Sequence, residues 1–411
     1  MAADTADTLF HRITDYAGRP DPYPLYAELR EVGVARQEDG SYLVGTYHEI
    51  TALLHDPRIS SDRRNRSAPE EVAAASALPP SFIGLDDPAH HRLRSLAMRP
   101  FGPPHTPGRI DAMHGEMTRI VQDLLNDCRD KDRIDVVDDF AYPLPVTAIC
   151  HLLGVPTEDQ PQFSQWADAI VAGFDPTPGE DPKEREHAAQ EARQAMGLYL
   201  GGLADQRRTR PSDDMLSAFA AGPGEGTDDR LTPLEIMTNS VLLLIAGHET
   251  TVNLITNGVL TLLRHAEQLA RLREDPALMP TAVEELLRYE PPVQMLPQRT
   301  PLVDIEVAGV TIPKGAPLIL VLASGNRDPQ RFRDPDRFDP TREDNQHLGF
   351  GGGIHSCFGA PLARLETEIA LTALLQHLHQ PRLVEDPPPY RRSPVLRGPR
   401  HLLVEEGQAG G

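Results

Sequence analysis

The stretch Phe350-Gly-Gly-Gly-Ile-His-Ser-Cys-Phe-Gly359 carries most of the information in this 411-residue chain. Four glycines surround one cysteine, Cys357, and His355 stands two residues before it. A thiolate is a soft, strong ligand for iron when its charge is stabilised and water is kept away. Glycines let a backbone approach a flat cofactor and turn N–H groups toward the sulfur. The following segment, from Ala360, is helical in pattern, so Cys357 falls just before a helix N-terminus, whose dipole favours a negative sulfur. Taken alone, the same ten residues also describe a glycine-rich turn holding an inert buried cysteine.

Composition narrows the field. The formal charge is −21, with 61 acidic and 40 basic residues, and all but three of the basic residues are arginine. That balance argues against nucleic-acid or anionic-membrane binding. The three cysteines, Cys128, Cys150 and Cys357, are odd in number and widely spaced, so no disulfide framework is implied. Cys128 and Cys150 lie in apolar or helical patterns and read as core residues. No basic, then apolar, leader is visible at the N-terminus. The most apolar short runs, 241–246 and 318–323, are far below the roughly 20 residues that span a bilayer. A cytoplasmic protein with no membrane contact is expected.

The chain reads as one mainly helical domain with a small β region, residues 1–411, with a flexible N-terminus to about residue 20 and a loose tail from about 406. Short helices are expected at 24–32 and 47–54, with a strand between them at 41–46. Residues 134–140 look extended, and 144–153 form an apolar helix stopped by Gly154 and Pro156. Residues 302–323 alternate as strands, 326–349 are an irregular coil, and a last helix runs 361–378. Three polar, Pro- or Gly-rich stretches, 60–82, 173–183 and 222–230, read as long loops, the first two as lids. The longest helix starts at Thr232-Pro-Leu-Glu235, a capping box with proline at the first helical position, and continues to about Arg264. A helix of that length crosses a whole globular domain and belongs in its centre.

Further constellations lie along this frame. Ala246-Gly-His-Glu-Thr-Thr251 sits midway in the long helix. An acid beside an alcohol, next to a helix-weakening glycine, can deliver protons; the same residues can equally be a small-residue packing site. Glu285 and Arg288 share one helix face at i and i+3, a spacing common in surface ion pairs. Arg337, in the irregular coil, could join them. His90 and Arg94 share a face four residues apart, and with Arg299 they could receive an anionic group; scattered surface arginine would look the same.

Taken together and in order, these segments resemble the cytochrome P450 family, in its soluble bacterial form. The cysteine loop matches F-G-x-G-x-H-x-C-x-G at every fixed position, Glu285/Arg288 matches E-x-x-R, and Ala246–Thr250 matches A-G-x-[DE]-T. The segment from Asp86 to Arg94 resembles D-P-P-E-H-T-R-L-R, with Asp87 and Ala89 departing from it. The likeness runs from about residue 21 to 404.

The resemblance implies a single P450 fold with haem b, iron protoporphyrin IX, between the long central helix and the helix after the cysteine loop. It makes Cys357 the proximal iron ligand, with Phe350, Gly351, Gly359, Ala246 and Gly247 against the cofactor. His90, Arg94, Arg299 and His355 would meet the propionates. Glu249 and Thr250 would manage protons for dioxygen. Glu285, Arg288 and Arg337 would form a structural network. Substrate contacts would come from Phe82, Ile83, Leu85, Leu242, Leu243, Val293, Met295, Leu296 and Val395, all apolar.

The implied activity is insertion of one oxygen atom from O2 into a hydrophobic small molecule, by hydroxylation or epoxidation, the substrate being a bacterial natural product. A monomer is implied, fed with electrons by a ferredoxin and its NAD(P)H-dependent reductase. Arg364 and the Arg92–Arg99 helix would supply the basic dock for that ferredoxin. The competing reading is a haem-thiolate protein that binds a ligand or rearranges a substrate without oxygenation, against which Thr250 argues. A hydrolase built on Cys357 and His355 fails, because residues two apart in a glycine loop rarely form a nucleophile–base pair with a third, orienting group.

Overall fold

A computed structural model describes residues 9–67, 79–102, 106, 108–129, 131–173, 181–221 and 230–406. Most of the three expected long loops, and the terminal residues 1–8 and 407–411, lie outside the described residues. The protein is mainly helical, with small sheets. By its internal contacts the chain forms two compact units, each assembled from separated stretches. The first comprises Met1–Val72, Ile120–Ala141 and Thr250–Gly411; the second comprises Ala73–Arg119 and Tyr142–Glu249.

The first unit holds every strand among the described residues. Its five-stranded sheet runs in the spatial order Val34–Arg36, Tyr42–Val44, Leu318–Leu320, Leu296–Pro301, Ile59–Ser60. Tyr42–Val44 and Leu318–Leu320 pair in parallel, and the other neighbours are antiparallel. Both central strands are buried on both faces, as their continuous apolar runs require. The strand at 296–301 escapes sequence patterning because Pro297 and Pro301 interrupt it; a register shift between Leu296 and Arg299 accommodates the break.

Two expectations need correction here. Residues 134–140 are not one extended segment. Arg133–Asp135 is a strand, and Val136–Ala141 is a π-helical turn. Side chains compete with the ladder at that point: Asp135 accepts from the Val137 amide (3.0 Å), and Asp139 accepts from the Asp135 amide (2.9 Å). Residues 9–20 are ordered rather than loose, because Leu9 and Ile13, one helical turn apart, are buried beside Tyr26, Leu29 and Leu43. The run Val136–Leu153 is apolar enough by composition to cross a membrane, but 67% of it is buried inside the protein.

The second unit is helical. Gln160–Ala172 packs along Pro182–Thr209, and Met215–Ala221 packs on the latter. Pro143–Leu153 ends at Gly154, whose φ of +82° belongs to a left-handed cap. A side chain there would also strike Asp214, which is held by Arg207 at 2.7 Å.

The long helix spans Pro233–Arg264, 32 residues, unbroken through Gly247. At 1.5 Å per residue it is about 48 Å long. Its capping box forms as expected: the Glu235 carboxylate accepts from the Thr232 amide at 2.8 Å, and the Glu235 amide donates to the Thr232 hydroxyl at 3.3 Å. Within the first unit its C-terminal half lies against two other helices, Met279–Tyr289 and Ala360–His377. Gly258 permits that approach, since an added Cβ would stand 3.0 Å from Leu286 and 3.1 Å from Leu371.

On Ala360–His377 sits a buried acid, Glu366, 2% exposed, which accepts from Thr251 of the long helix. Burial outweighs that hydrogen bond and pushes the carboxyl up to about 8, so the folded protein favours its neutral form. An acid raised in the folded state stabilises the fold at low pH. That contribution is lost as pH climbs from the ordinary glutamate range through about 8. Glu366→Gln keeps the shape and the neutral state. We expect its denaturation midpoint to match the wild type near pH 5 and to exceed it increasingly toward pH 9; parallel profiles would contradict the raised carboxyl.

Candidate functional site

The cysteine loop rests on a helix, Met279–Tyr289, that carries its charges inward. Glu285 and Arg288 are both 0% exposed and form two hydrogen bonds of 2.8 Å. Arg288 spends its remaining donors on the carbonyls of Asn326 (2.9 Å), Pro335 (2.7 Å) and Arg337 (3.1 Å). Glu285 accepts from the Asp339 amide (2.9 Å), the Asn345 side chain (3.2 Å) and Arg342 Nε (3.1 Å). The third charged member is therefore Arg342, not Arg337. Arg337 contributes only its carbonyl, and its side chain is exposed. A sequence holding several arginines in one coil gives no means of telling which side chain turns inward. Apart from the two bonds within the pair, these hydrogen bonds all go to the irregular coil, 326–345, that leads into the loop.

The coil ends at Leu348, whose amide donates to Asn326 Oδ1 at 2.7 Å, and the loop begins. Its glycines are of two kinds. Gly351 and Gly353 have φ of +67° and +63°, a region that side chains rarely adopt, whereas Gly352 is extended at −171°. A Cβ on Gly353 would stand 1.9 Å from the Leu54 carbonyl oxygen. The two positive-φ positions are the two fixed glycines of F-G-x-G, and the free position is the extended one. His55 braces the same turn, its Nε2 accepting from the Gly353 amide at 3.2 Å. After the turn, the Cys357 amide donates to the Phe350 carbonyl at 2.9 Å, closing the loop, and Ala360–His377 follows.

The three cysteines divide by environment. Cys128 and Cys150 are buried, and burial raises both thiols, Cys150 to about 12. Cys357 is exposed. It is the one exposed thiol of the three, just before a helix N-terminus and after a glycine-rich turn. That donor set suits a haem iron: one soft sulfur with glycine on either side.

In the long helix, Leu242, Ile245, Ala246, Gly247 and Thr250 are the partly or fully accessible positions between 241 and 251, and Leu242, Ala246 and Thr250 follow one another at helical spacing. Leu243 and Glu249 are buried, Glu249 to 2%. Also buried is His248, whose ring meets Tyr142 edge-on at 4.3 Å.

The remaining expected residues fall into place by unit. In the second, His90 is buried; burial lowers its pKa against the opposing pull of Asp87, 3.1 Å from Nδ1. Arg94, one turn on, is half-buried. Phe82 and Leu85 are buried, and Ile83 is 49% exposed. In the first unit, Arg299 is half-buried on the strand at 296–301, and His355 ends a short 3-10 turn before Cys357. Val293 bridges to Leu396, and the Gln294 amide donates to the Val395 carbonyl at 2.8 Å, so these two expected substrate segments do meet. Met295 is 2% exposed in a core cluster with Val395 packed on it, whereas Val293 and Leu296 pack on another cluster.

Two arginines of the expected basic dock carry ion pairs of their own. Arg92 is paired with Glu235, and Arg364 is paired with Glu284. Residues that sequence reasoning missed are Arg342, the Thr251–Glu366 contact, and Glu284. The acid pair Glu284-Glu285 was visible in the sequence, but nothing there assigned the first acid a partner. One substitution pair tests the loop's geometry: Gly353→Ala should lower Tm and abolish cofactor retention, whereas Gly352→Ala should be tolerated with a small loss. Equal effects would contradict the assignment of the two positive-φ positions.

Comparison with known proteins agrees with this architecture. The family model described as "Cytochrome P450" matches residues 39–405. The chain is 42% identical to the cytochrome P450 monooxygenase PikC of Streptomyces venezuelae, over 93% of this chain and 91% of that one. It is 38% identical to the 6-deoxyerythronolide B hydroxylase of Saccharopolyspora erythraea, over 93% and 96%. Ligand-free CYP164A2 of Mycobacterium smegmatis superposes with a TM-score of 0.87 at 39% identity, covering 97% of this chain and 100% of that one. With the family model spanning most of the chain and relatives of this identity and coverage, the chain belongs to the cytochrome P450 family and is an oxidoreductase of the monooxygenase type.

Proposed function

We propose that this enzyme binds haem b through Cys357 and uses O2 to oxygenate a hydrophobic small molecule, a bacterial natural product, by C–H hydroxylation or epoxidation. The observation that carries the proposal is the exposed Cys357 thiol at the close of a turn that needs glycine at 351 and 353. When bound, the haem supplies the redox chemistry that activates dioxygen, with electrons brought from outside the chain. His90, Arg94, Arg299 and His355 hold its two propionates by charge-assisted hydrogen bonds. Phe350, Gly351, Gly359, Ala246 and Gly247 would line the place where it binds.

The chain's own residues then handle substrate and protons. Thr250, half-exposed on the accessible stripe of the long helix, holds a proton on its hydroxyl at the dioxygen side. Glu249, buried one residue before it, resupplies that proton from the protein interior. Leu242, Leu243, Phe82, Ile83, Leu85, Val293, Leu296 and Val395 offer apolar contacts that select a lipophilic substrate and exclude water. Similarity to proteins named PikC and 6-deoxyerythronolide B hydroxylase supports a natural-product substrate. A ferredoxin with its NAD(P)H-dependent reductase supplies the electrons.

The test is coupling. In a reconstituted system with a surrogate ferredoxin and reductase, and a substrate found by its Soret shift, Thr250→Ala should keep NAD(P)H consumption. Its product per NAD(P)H should fall by about tenfold or more, with peroxide rising in proportion. Unchanged coupling would remove Thr250 from the proton path.

A further inference from the structure

Glu284 stands beside the buried Glu285 but faces the cysteine loop. Its carboxylate makes a bidentate pair with Arg364, Nε to Oε1 at 2.6 Å and Nη2 to Oε2 at 3.0 Å. His347 Nε2 approaches the same Oε2 at 3.1 Å. The tautomer is decided by the other ring nitrogen. His347 Nδ1 accepts from the Gly349 amide at 3.0 Å, so Nε2 carries the hydrogen and donates to Glu284. One carboxylate therefore grips both sides of the loop. His347 and Gly349 lead into it, and Arg364 lies on the helix that leads away.

The bonds are strong enough to hold the carboxylate ionised. Burial works to raise Glu284, and the His347 and Arg364 hydrogen bonds overcome it, leaving the group at about 2. Arg364 in turn lies over the Phe350 ring, 4.7 Å from its centroid, and His347 touches that ring as well, at 5.8 Å between centroids. Phe350 is the residue whose carbonyl receives the Cys357 amide. The Arg364 guanidinium is held above its ordinary pKa, chiefly by the Glu284 hydrogen bond and to a smaller extent by charge on Cys357. A cation thus sits within electrostatic reach of the sulfur, and Glu284 is the anion that neutralises it.

We propose that Glu284 is a positioning residue that fixes Arg364 and Phe350 against the Cys357 loop and, by neutralising Arg364, sets how strongly the thiolate donates to its iron. The inference rests on Cys357 being the haem ligand. Two physical effects separate cleanly. Loss of the clamp loosens the loop whichever partner is removed. Loss of charge acts with a sign: an unneutralised cation near the sulfur withdraws electron density and favours the reduced, more negative centre, whereas an unneutralised anion does the opposite.

The experiment is a spectroelectrochemical titration of the haem-loaded full chain, with the ferrous-carbonyl spectrum recorded alongside. Glu284→Gln should shift the reduction potential positive, Arg364→Gln should shift it negative, and the double variant should return close to the wild type. Shifts of the same sign, or none, would overturn the electrostatic role. Should Glu284→Gln fail to retain haem, Glu284→Asp and Arg364→Lys keep the charges and shorten or reshape the clamp. They should hold the wild-type potential while giving a larger fraction of thiol-ligated carbonyl form, and a shifted potential in them would contradict the proposal. A wild type with no thiolate-type carbonyl band would instead overturn the ligand assignment itself, before any variant is compared.

Discussion

Two opposite charges with no exposure to water hold the proximal half of this enzyme together. Removing charges of this kind from solvent is costly, and the cost is offset only when every donor and acceptor is used. Glu285 and Arg288 meet that condition with two hydrogen bonds to each other and a ring of partners drawn from 326–345. The consequence is structural. A coil with no ladder or helix of its own is given one conformation, because each of its turns satisfies part of a buried ion pair. Truncating either partner would strand the other, a loss of about 3–5 kcal/mol in comparable pairs.

That coil delivers the chain to Gly349 at a fixed height and angle. Gly349 itself fits only because it lacks a side chain, since an added Cβ would meet the Leu287 carbonyl at 2.7 Å. The two left-handed glycines then turn the backbone past Leu54 and aim Cys357 outward at the head of the next helix. A cysteine placed there has a favourable helix dipole, its backbone amide donates to the Phe350 carbonyl, and Arg364 lies over the Phe350 ring. The same helix reaches the long helix through Glu366 and Thr251, next to Thr250. Within the first unit, the helix that follows the cysteine loop is therefore packed on the C-terminal half of the long helix.

Much of this was legible in the residues. The capping box at Thr232–Glu235, the stop at Gly154 and the helix after Cys357 are local chemistry, and they form where local chemistry puts them. The cysteine loop was legible because its conformation requires particular glycines at particular positions. What escaped was decided by tertiary partners. The strand at 296–301 forms despite its prolines because the sheet offers it neighbours on both sides. Arg342 rather than Arg337 reaches Glu285 because of how an irregular coil turns. Glu284 has no partner in its own stretch of sequence, and only folding brings His347 and Arg364, distant in sequence, to its carboxylate. The two-unit organisation was hidden for a similar reason: neither unit is continuous in sequence.

The central claim is that Cys357 alone, as a thiolate, ligates the iron. Its most direct test is the carbon monoxide spectrum of the reduced, haem-loaded chain beside that of Cys357→Ser. The account predicts the strongly red-shifted Soret band of thiolate ligation in the wild type and its complete absence in the variant. A wild type lacking that band, or a Cys357→Ser variant that retains it, would contradict the account.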